Sequence, residues 1–403
     1  MSSREVTLGE VCEIKQGKYL SPGQMEAQPT EEAFVPVVGG NGILGYTTKS
    51  TFTFPLPLVT CRGSKCGLMQ WAEPPTWISN NAMAVYFKGG FGDNFFLYQY
   101  LLQSDFDDVT TGSAQPQITV SSLALKKILL PALREQRAIA QIMGAIEEKI
   151  QVNQKLSKTL EQIAQSIFQS WFVDFDPVKA KMAGEKPVGM DDVTAALFPD
   201  SMEETDNGLI PKGWKYSLIE NFAHVRYGAP FASKLFNDIG DGMPLIRIRD
   251  LKSQRIAIWS AENHTKGFTV NGGQLLIGMD GEFNPTLWRG EEALVNQRIC
   301  LLENRPGVSS LFLYFSLIPI MKRIENGAIG TTVIHLGKGD IDEICLLNPG
   351  TELLNIFEGL MKELLQEMVS LDGQSRNLLA IRDSLLPRLI SGELQIPKEM
   401  LPS

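Results

Sequence analysis

The sequence is short of the residues on which most enzymes and metalloproteins depend. It holds three histidines, His224, His264 and His335, and none stands near another histidine or a cysteine at metal-ligand spacing. The five cysteines, Cys12, Cys61, Cys66, Cys300 and Cys345, are an odd number. That count argues against a disulfide framework and suits reduced thiols in a cytosol. Cys61 and Cys66 have no second pair at zinc-finger spacing, so no metal is expected. No run approaches the roughly 18 to 20 apolar residues of a membrane span, and the start has no apolar run behind a basic region. A cytoplasmic protein without membrane contact is expected. A Walker lysine loop, a nuclease-type cluster of paired carboxylates with lysine, and a Ser/His/Asp set are also missing. The expectation is a non-catalytic protein that binds no cofactor itself.

A basic excess is absent as well: the net charge is −9. Its distribution matters more than its total. Residues 1–130 carry −2, 131–212 carry −4, 213–349 carry 0 and 350–403 carry −3. Most of the acidity therefore lies outside the two segments of mixed composition, and a neutral globular segment can still present a basic face to phosphate. The charge neither supports nucleic-acid binding nor excludes it.

What the chain does contain is itself, twice. The run from Gly112 to Pro131 and the run from Gly330 to Pro349 have equal length, at an offset of 218 residues. Upstream, with small slips, Phe96-Leu97-Tyr98 recurs as Phe312-Leu313-Tyr314, Asn80 as Asn296, and Thr7-Leu8 with Glu10 as Ser217-Leu218 with Glu220. Two copies are too few for a solenoid and read as paired domains. Each copy mixes short β-type runs (34–38, 56–60 and 83–87; 245–248, 275–278 and 299–302) with Gly and Pro punctuation and one aromatic helical stretch. The expected fold class is α+β, with domains at 1–130 and 213–349 and helical segments at 131–212 and 350–403.

After Pro131 the chain runs to about Phe172 without proline. A heptad frame puts Ile139, Ile146, Asn153, Leu160 and Ile167 at a and Ile142, Lys149, Leu156, Ile163 and Ser170 at d, seven of ten apolar. The second copy places Phe357, Leu364, Leu371, Leu378 and Leu385 at a and Leu360, Glu367, Gln374, Ile381 and Arg388 at d, again seven of ten. Two helices of about 40 residues, each about 60 Å long, exceed what one small domain can cover. An antiparallel coiled coil is expected, with a globular half at each end and a pseudo-two-fold axis through the spacer. Asn153 would fix register or sit partly solvated.

Two local patterns are weak. Gly40-Asn41-Gly42-Ile43-Leu44-Gly45 fits a dinucleotide fingerprint, but strand and turn follow where a helix is needed. Glu73-Pro74-Pro75-Thr76 lacks both the first residue and the aromatic of an amino-methyltransferase loop and reads as a surface turn.

The segments Arg134-Glu135-Gln136-Arg137-Ala138-Ile139, Ser170-Trp171-Phe172-Val173-Asp174-Phe175-Asp176-Pro177, Gly208-Leu209-Ile210-Pro211-Lys212-Gly213-Trp214 and Ile390-Ser391-Gly392-Glu393-Leu394 resemble the specificity subunit of type I restriction-modification systems. The resemblance covers essentially the whole chain, specific in the helical segments and generic in the recognition domains. It implies a subunit that reads one bipartite double-stranded DNA site, each domain one half. It further implies two modification subunits that carry S-adenosylmethionine and methylate adenine. These recruit restriction subunits, motor nucleases using ATP and Mg. Two other readings stay open: a module serving a fused methyltransferase-nuclease, told apart by its neighbouring genes, and a protein-binding scaffold, whose binding would barely change with salt.

For a DNA face the first domain offers the Gly40-Asn41-Gly42 loop and the segment Arg62-Gly63-Ser64-Lys65, where glycines admit close backbone approach and the cations meet phosphate or base edges. The second domain offers Asp280 and Glu282 at the matching positions, an acidic loop suited to a cytosine amino group or to a solvated turn. Arg247 and Arg249 alternate with isoleucines and are expected on one strand face. With Arg226, Lys252, Arg255 and Arg298 they are the phosphate or guanine candidates, against ordinary ion pairs. Ser113, Gln115 and Gln117, and Thr331 and His335, form a second loop set.

Overall fold

A computed structural model describes residues 3–112, 115–206, 208–327 and 335–402. The chain forms two compact units, Met1–Ile150 with Asn377–Ser403, and Gln151–Arg376. Both boundaries fall inside long helices.

In unit 1 the apolar runs at Leu56–Thr60 and Ala82–Phe87 make central strands buried on both faces, flanked by half-exposed ones such as Cys12–Gln16. The strands are β1 (Arg4–Thr7), β2 (Cys12–Gln16), β3 (Val35–Gly39), β4 (Gly42–Thr47), β5 (Leu56–Thr60), β6 (Met69–Ala72), β7 (Trp77–Ile78), β8 (Ala82–Phe87) and β9 (Lys127–Leu130). The central antiparallel sheet has the order β2-β8-β5-β6, and β3 pairs antiparallel with β4 and parallel with β7. Leu56, Leu58 and Val59 on β5 are fully buried, each worth about 1.5–3 kcal/mol. Helix α1 (Asn94–Leu102) starts where the Asp93 carboxylate accepts from the backbone N–H of Phe95 and Phe96. Strand β9 closes the unit by pairing antiparallel with β1.

Unit 2 repeats this topology. Its strands are β10 (Lys215–Leu218), β11 (Ala223–Tyr227), β12 (Met243–Ile246), β13 (Leu275–Gly278), β14 (Pro285–Leu287), β15 (Ala293–Val295), β16 (Ile299–Asn304) and β17 (Cys345–Asn348). The central sheet runs β11-β16-β13-β14, β12 lies parallel to β15, and β10 pairs antiparallel with β17. The helix of this copy spans Ser310–Gly327.

The two long helices are Leu133–Phe172 and Thr351–Ser391, 40 and 41 residues. Within each unit they run antiparallel. In unit 1 the start of the first meets the end of the second, with Ile139, Met143, Leu386 and Ile390 in one core and Arg382 3.6 Å from Glu147. In unit 2 Phe168 and Trp171 pack on Phe357, and the buried Asn153 turns its amide to Gln374 at 3.5 Å.

The seam differs from the heptad frame by one residue in its second row. Beside the row of Ile139 to Ile167 the buried positions are Met143, Ile150, Ser157, Ala164 and Trp171, not Ile142, Lys149, Leu156, Ile163 and Ser170. Beside Phe357 to Leu385 they are Met361, Met368, Ser375 and Leu389, with the Arg382 side chain 15% exposed. Leu156, Ile163, Leu360 and Ile381 point outward, each more than two-fifths exposed, and Ile142 is only partly buried. A seven-residue repeat is satisfied by a second row three or four residues on. Packing chose four, because small Ser157 leaves room for Arg289, whose Nη1 donates to its Oγ.

The distinctive segments turn out to be joints. Gln136 is buried, accepting from Asp93 N–H and donating to the carbonyl of Pro131, while Glu135 caps the helix start through Ala132 N–H. Trp171, Phe172, Phe175, Phe198 and Trp214 meet in one aromatic cluster of unit 2. No helix among the described residues is long and apolar enough to cross a membrane.

Candidate nucleic-acid interface

The same backbone frame recurs at one end of each central sheet. In unit 1 Cys61, just past β5, donates to the carbonyl of Asn81 at 2.9 Å and accepts from Ile118 at 3.0 Å. In unit 2 Met279, just past β13, donates to Arg298 at 2.9 Å and accepts from Leu336 at 2.8 Å. An isolated β-bridge follows in each, Arg62 with Gln117 and Asp280 with His335. Both partners of the second bridge lie 218 residues after those of the first. The neighbouring loop obeys the same correspondence, since Ser79 donates to Val38 and Asn296 to Ile246. Gly40-Asn41 in unit 1 thus stands where Ile248-Arg249 stands in unit 2, and Asn81 where Arg298 stands.

Two glycines make this frame possible. Gly17 and Gly228 press against the opposing chain so closely that a Cβ would lie 2.0 Å from the Ser79 carbonyl oxygen and 2.1 Å from that of Asn296. No side chain fits in either place.

On the unit 1 frame Asn41, Arg62, Ser64, Lys65, Asn81 and Gln115 are exposed and Gln117 is half-buried. Gly40 and Asn41 form the two-residue turn between β3 and β4, held by Thr60 Oγ1 donating to the Gly40 carbonyl at 2.7 Å. The fingerprint Gly40 to Gly45 therefore lies in a β-hairpin and opens no helix. Gly63 accepts from Cys66 and donates to Pro116, with φ of 85°. Arg62 and Lys65 form no ion pair among the described residues. Amide, hydroxyl and guanidinium groups are the donors that read purine edges and phosphates.

The unit 2 frame differs in charge and in its use of charge. Asp280 is 2.6 Å from His335 Nδ1 and 3.4 Å from Arg298 Nε. Neither a free acceptor nor a solvated turn describes it, which corrects the expectation for this loop. Glu325 accepts from Phe283 N–H and pins the loop from behind. Arg249, Lys252, Asp280 and Glu282 line a cavity of about 390 Å³.

Two further expectations change. Strand β12 ends at Ile246, and the chain turns into a 3-10 segment at Ile248–Asp250. Arg247 and Arg249 therefore do not share a strand face. The Asp250 carboxylate forces that turn: it caps Arg247 N–H at 3.0 Å and holds the guanidinium through Nε at 2.9 Å and Nη2 at 3.1 Å. Arg226 lies 3.4 Å from Glu303 and 4.2 Å over the Phe268 ring, an internal role. Arg249, Lys252 and Arg255 are exposed, without an ion pair among the described residues. Ser113 and Thr331 lie outside the described residues.

Burial pushes the Cys300 thiol and the Tyr227 phenol up to about 12, and burial also raises Cys66. Asn81 is the residue that composition alone did not suggest. Counting from Asn80 and Asn296 would have placed it opposite Gln297, one residue short of Arg298, because the structure matches Ser79 with Asn296.

Comparison with known proteins agrees on one family. A family model described as the type I restriction modification DNA specificity domain matches residues 2–162 and 211–352, about three quarters of the chain. The chain is 26% identical over 330 residues to the type I restriction enzyme HindI specificity subunit of Haemophilus influenzae, covering 69% of this chain and 71% of that protein. It is 24% identical over 317 residues to the MjaIX specificity subunit of Methanocaldococcus jannaschii, covering 75% and 68%. The crystal structure of a type I restriction-modification S subunit from M. genitalium superposes with a TM-score of 0.61 at 17% identity, covering 96% of each chain.

Proposed function

The chain belongs to the type I restriction-modification DNA specificity family, and from that premise we propose that it reads a bipartite double-stranded DNA site, each unit one half-site. The observation that carries this reading is the recurring frame. One backbone scaffold displays Arg62, Asn81 and Gln117 in unit 1 and Asp280, Arg298 and His335 in unit 2. A constant scaffold with changed side chains is what two readers of different base sequences require. Arg62, Lys65, Arg249, Lys252 and Arg255 supply the phosphate contacts that set register.

On this reading the chain does no chemistry. Two modification subunits bring S-adenosylmethionine and methylate an adenine in each half-site, and restriction subunits add ATP- and Mg-dependent cleavage. The outward row of Leu156, Ile163 and Leu360, apolar yet exposed, supports a role for the long helices in receiving those subunits. The test is methylome sequencing of a host that expresses the chain with its modification partner. One bipartite motif, methylated at adenine in both halves, is expected. A single contiguous motif, or no motif, overturns the proposal.

A further inference from the structure

We propose that Arg298 reads a guanine in the half-site of unit 2 and that Asp280 is the positioning residue that aims it. The inference rests on the DNA-reading function proposed above.

Three observations converge. First, Asp280 engages Arg298 through Nε, at 3.4 Å. This leaves the terminal Nη1 and Nη2 groups as a fork whose spacing matches guanine O6 and N7. Second, the carboxylate stands behind its partners: the Asp280 side chain is 26% exposed, those of Arg298 and His335 57% each. Its other oxygen holds His335 Nδ1 at 2.6 Å. An ionised carboxylate only accepts, so Nδ1 carries the hydrogen and the ring is fixed with Nε2 turned away from Asp280. A fork of donors held beside a fixed ring is a base-edge pattern.

Third, Arg298 occupies a backbone position that arginine rarely adopts, with φ of 71°. The Met279 N–H bond to its carbonyl holds it there. A glycine or asparagine would suit that φ better, so the side chain is the feature worth keeping. In unit 1 the same place holds Asn81, whose amide is the type that reads adenine. One position in each unit thus presents a base-reading group, an amide in one and a guanidinium in the other.

The experiment uses the full chain in complex with its modification partner, comparing wild type with Arg298→Ala, Arg298→Lys and Asp280→Asn. The methylome motif is read for each, and wild-type binding is measured on duplexes with 7-deazaguanine at each guanine of the site in turn. Arg298→Ala is expected to relax one guanine position in one half-site by about 5- to 150-fold in discrimination, leaving the other half-site unchanged. Arg298→Lys keeps the charge without the fork and relaxes the same position. Asp280→Asn relaxes it too, whereas a merely structural Asp280 would lower methylation without changing the motif. One 7-deazaguanine should weaken wild-type binding and not that of Arg298→Lys. If Arg298→Ala abolishes methylation altogether, the 7-deazaguanine series on wild type and Arg298→Lys decides. Unchanged motifs in all variants, or 7-deazaguanine insensitivity at every position, overturn this inference alone. A wild-type complex without any bipartite motif overturns the function on which it rests.

Discussion

Where the chain leaves β5, a bridge joins Arg62 to Gln117; where it leaves β13, the equivalent bridge joins Asp280 to His335. Cys61 and Met279 beside the two bridges make matching backbone hydrogen bonds, so the scaffold does not dictate the chemistry it presents. On its frame unit 1 leaves Arg62 and Lys65 exposed without an ion pair among the described residues, whereas unit 2 pairs Arg226, Arg247 and Arg298 with Glu303, Asp250 and Asp280 and leaves Arg249, Lys252 and Arg255 exposed. An exposed cation serves any phosphate; a cation held by a carboxylate has one orientation and suits a defined partner. The comparison teaches that the repeat conserves a frame and varies its occupants.

The largest expected effect lies where the units diverge most in packing. By strand register Arg289 in unit 2 corresponds to Glu73 in unit 1. Arg289 reaches the long helices, 2.6 Å from Glu161 and 3.6 Å from Asp372, while Glu73 is exposed and accepts from Trp71. Arg289→Ala leaves two carboxylates unpaired and should cost about 3 kcal/mol in urea unfolding, the low end for a buried pair because both keep some access to water. Glu73→Ala should stay within about 0.5 kcal/mol. Equal losses would erase the asymmetry.

Next come the glycines that the units share. Gly17→Ala and Gly228→Ala each drive a Cβ into a backbone carbonyl and should each cost about 2–3 kcal/mol. Thermal unfolding of the two variants should show similar losses; a tolerated alanine at one site would break the equivalence of the frames.

A smaller effect separates the exposed cations from the paired ones. Removing Arg62 and Lys65 together should flatten the slope of log affinity against log salt by about 2, one for each phosphate that is no longer neutralised. Arg247→Ala, whose guanidinium Asp250 already holds, should leave that slope unchanged. Fluorescence anisotropy at several salt concentrations measures both.

The smallest effect concerns Asp372. Burial raises its carboxyl above the ordinary range despite Arg289 and Arg376 nearby. A raised carboxylate destabilises the fold once pH climbs through that raised value, and not below the ordinary aspartate range. Asp372→Asn should therefore stabilise slightly at pH 7 and make no difference at about pH 3. Denaturant midpoints at the two pH values test the sign.

Much of this was legible in the residues. The offset of 218 between the two Gly-to-Pro runs is the spacing that relates the two bridges. The first long helix occupies the proline-free stretch after Pro131, and the second occupies the heptad stretch of the second copy, Pro387 included. The seam was legible too, and the frame chosen was not the better one: with a second row four residues on, eight of ten positions are apolar in each helix, against seven. Counting d three residues after a favoured Leu156 and Ile163 over Ser157 and Ala164, because a large side chain looks more like core than a small one. The strand reading of Arg247 and Arg249 failed for a different reason, since a side-chain cap by Asp250 outcompeted the alternation that isoleucines suggested.

By itself, then, the sequence determined the repeat, the α+β class of each copy, the two long helices and the residue types available at each loop, all of which follow from local periodicity and spacing. Only the tertiary structure decided which cations are exposed and which are neutralised. Glu303 and Arg226, or Asp280 and His335, are 77 and 55 residues apart along the chain, and charge pairing depends on distance in space. A pattern of one charge among neighbours cannot reveal the carboxylate that the fold brings to it.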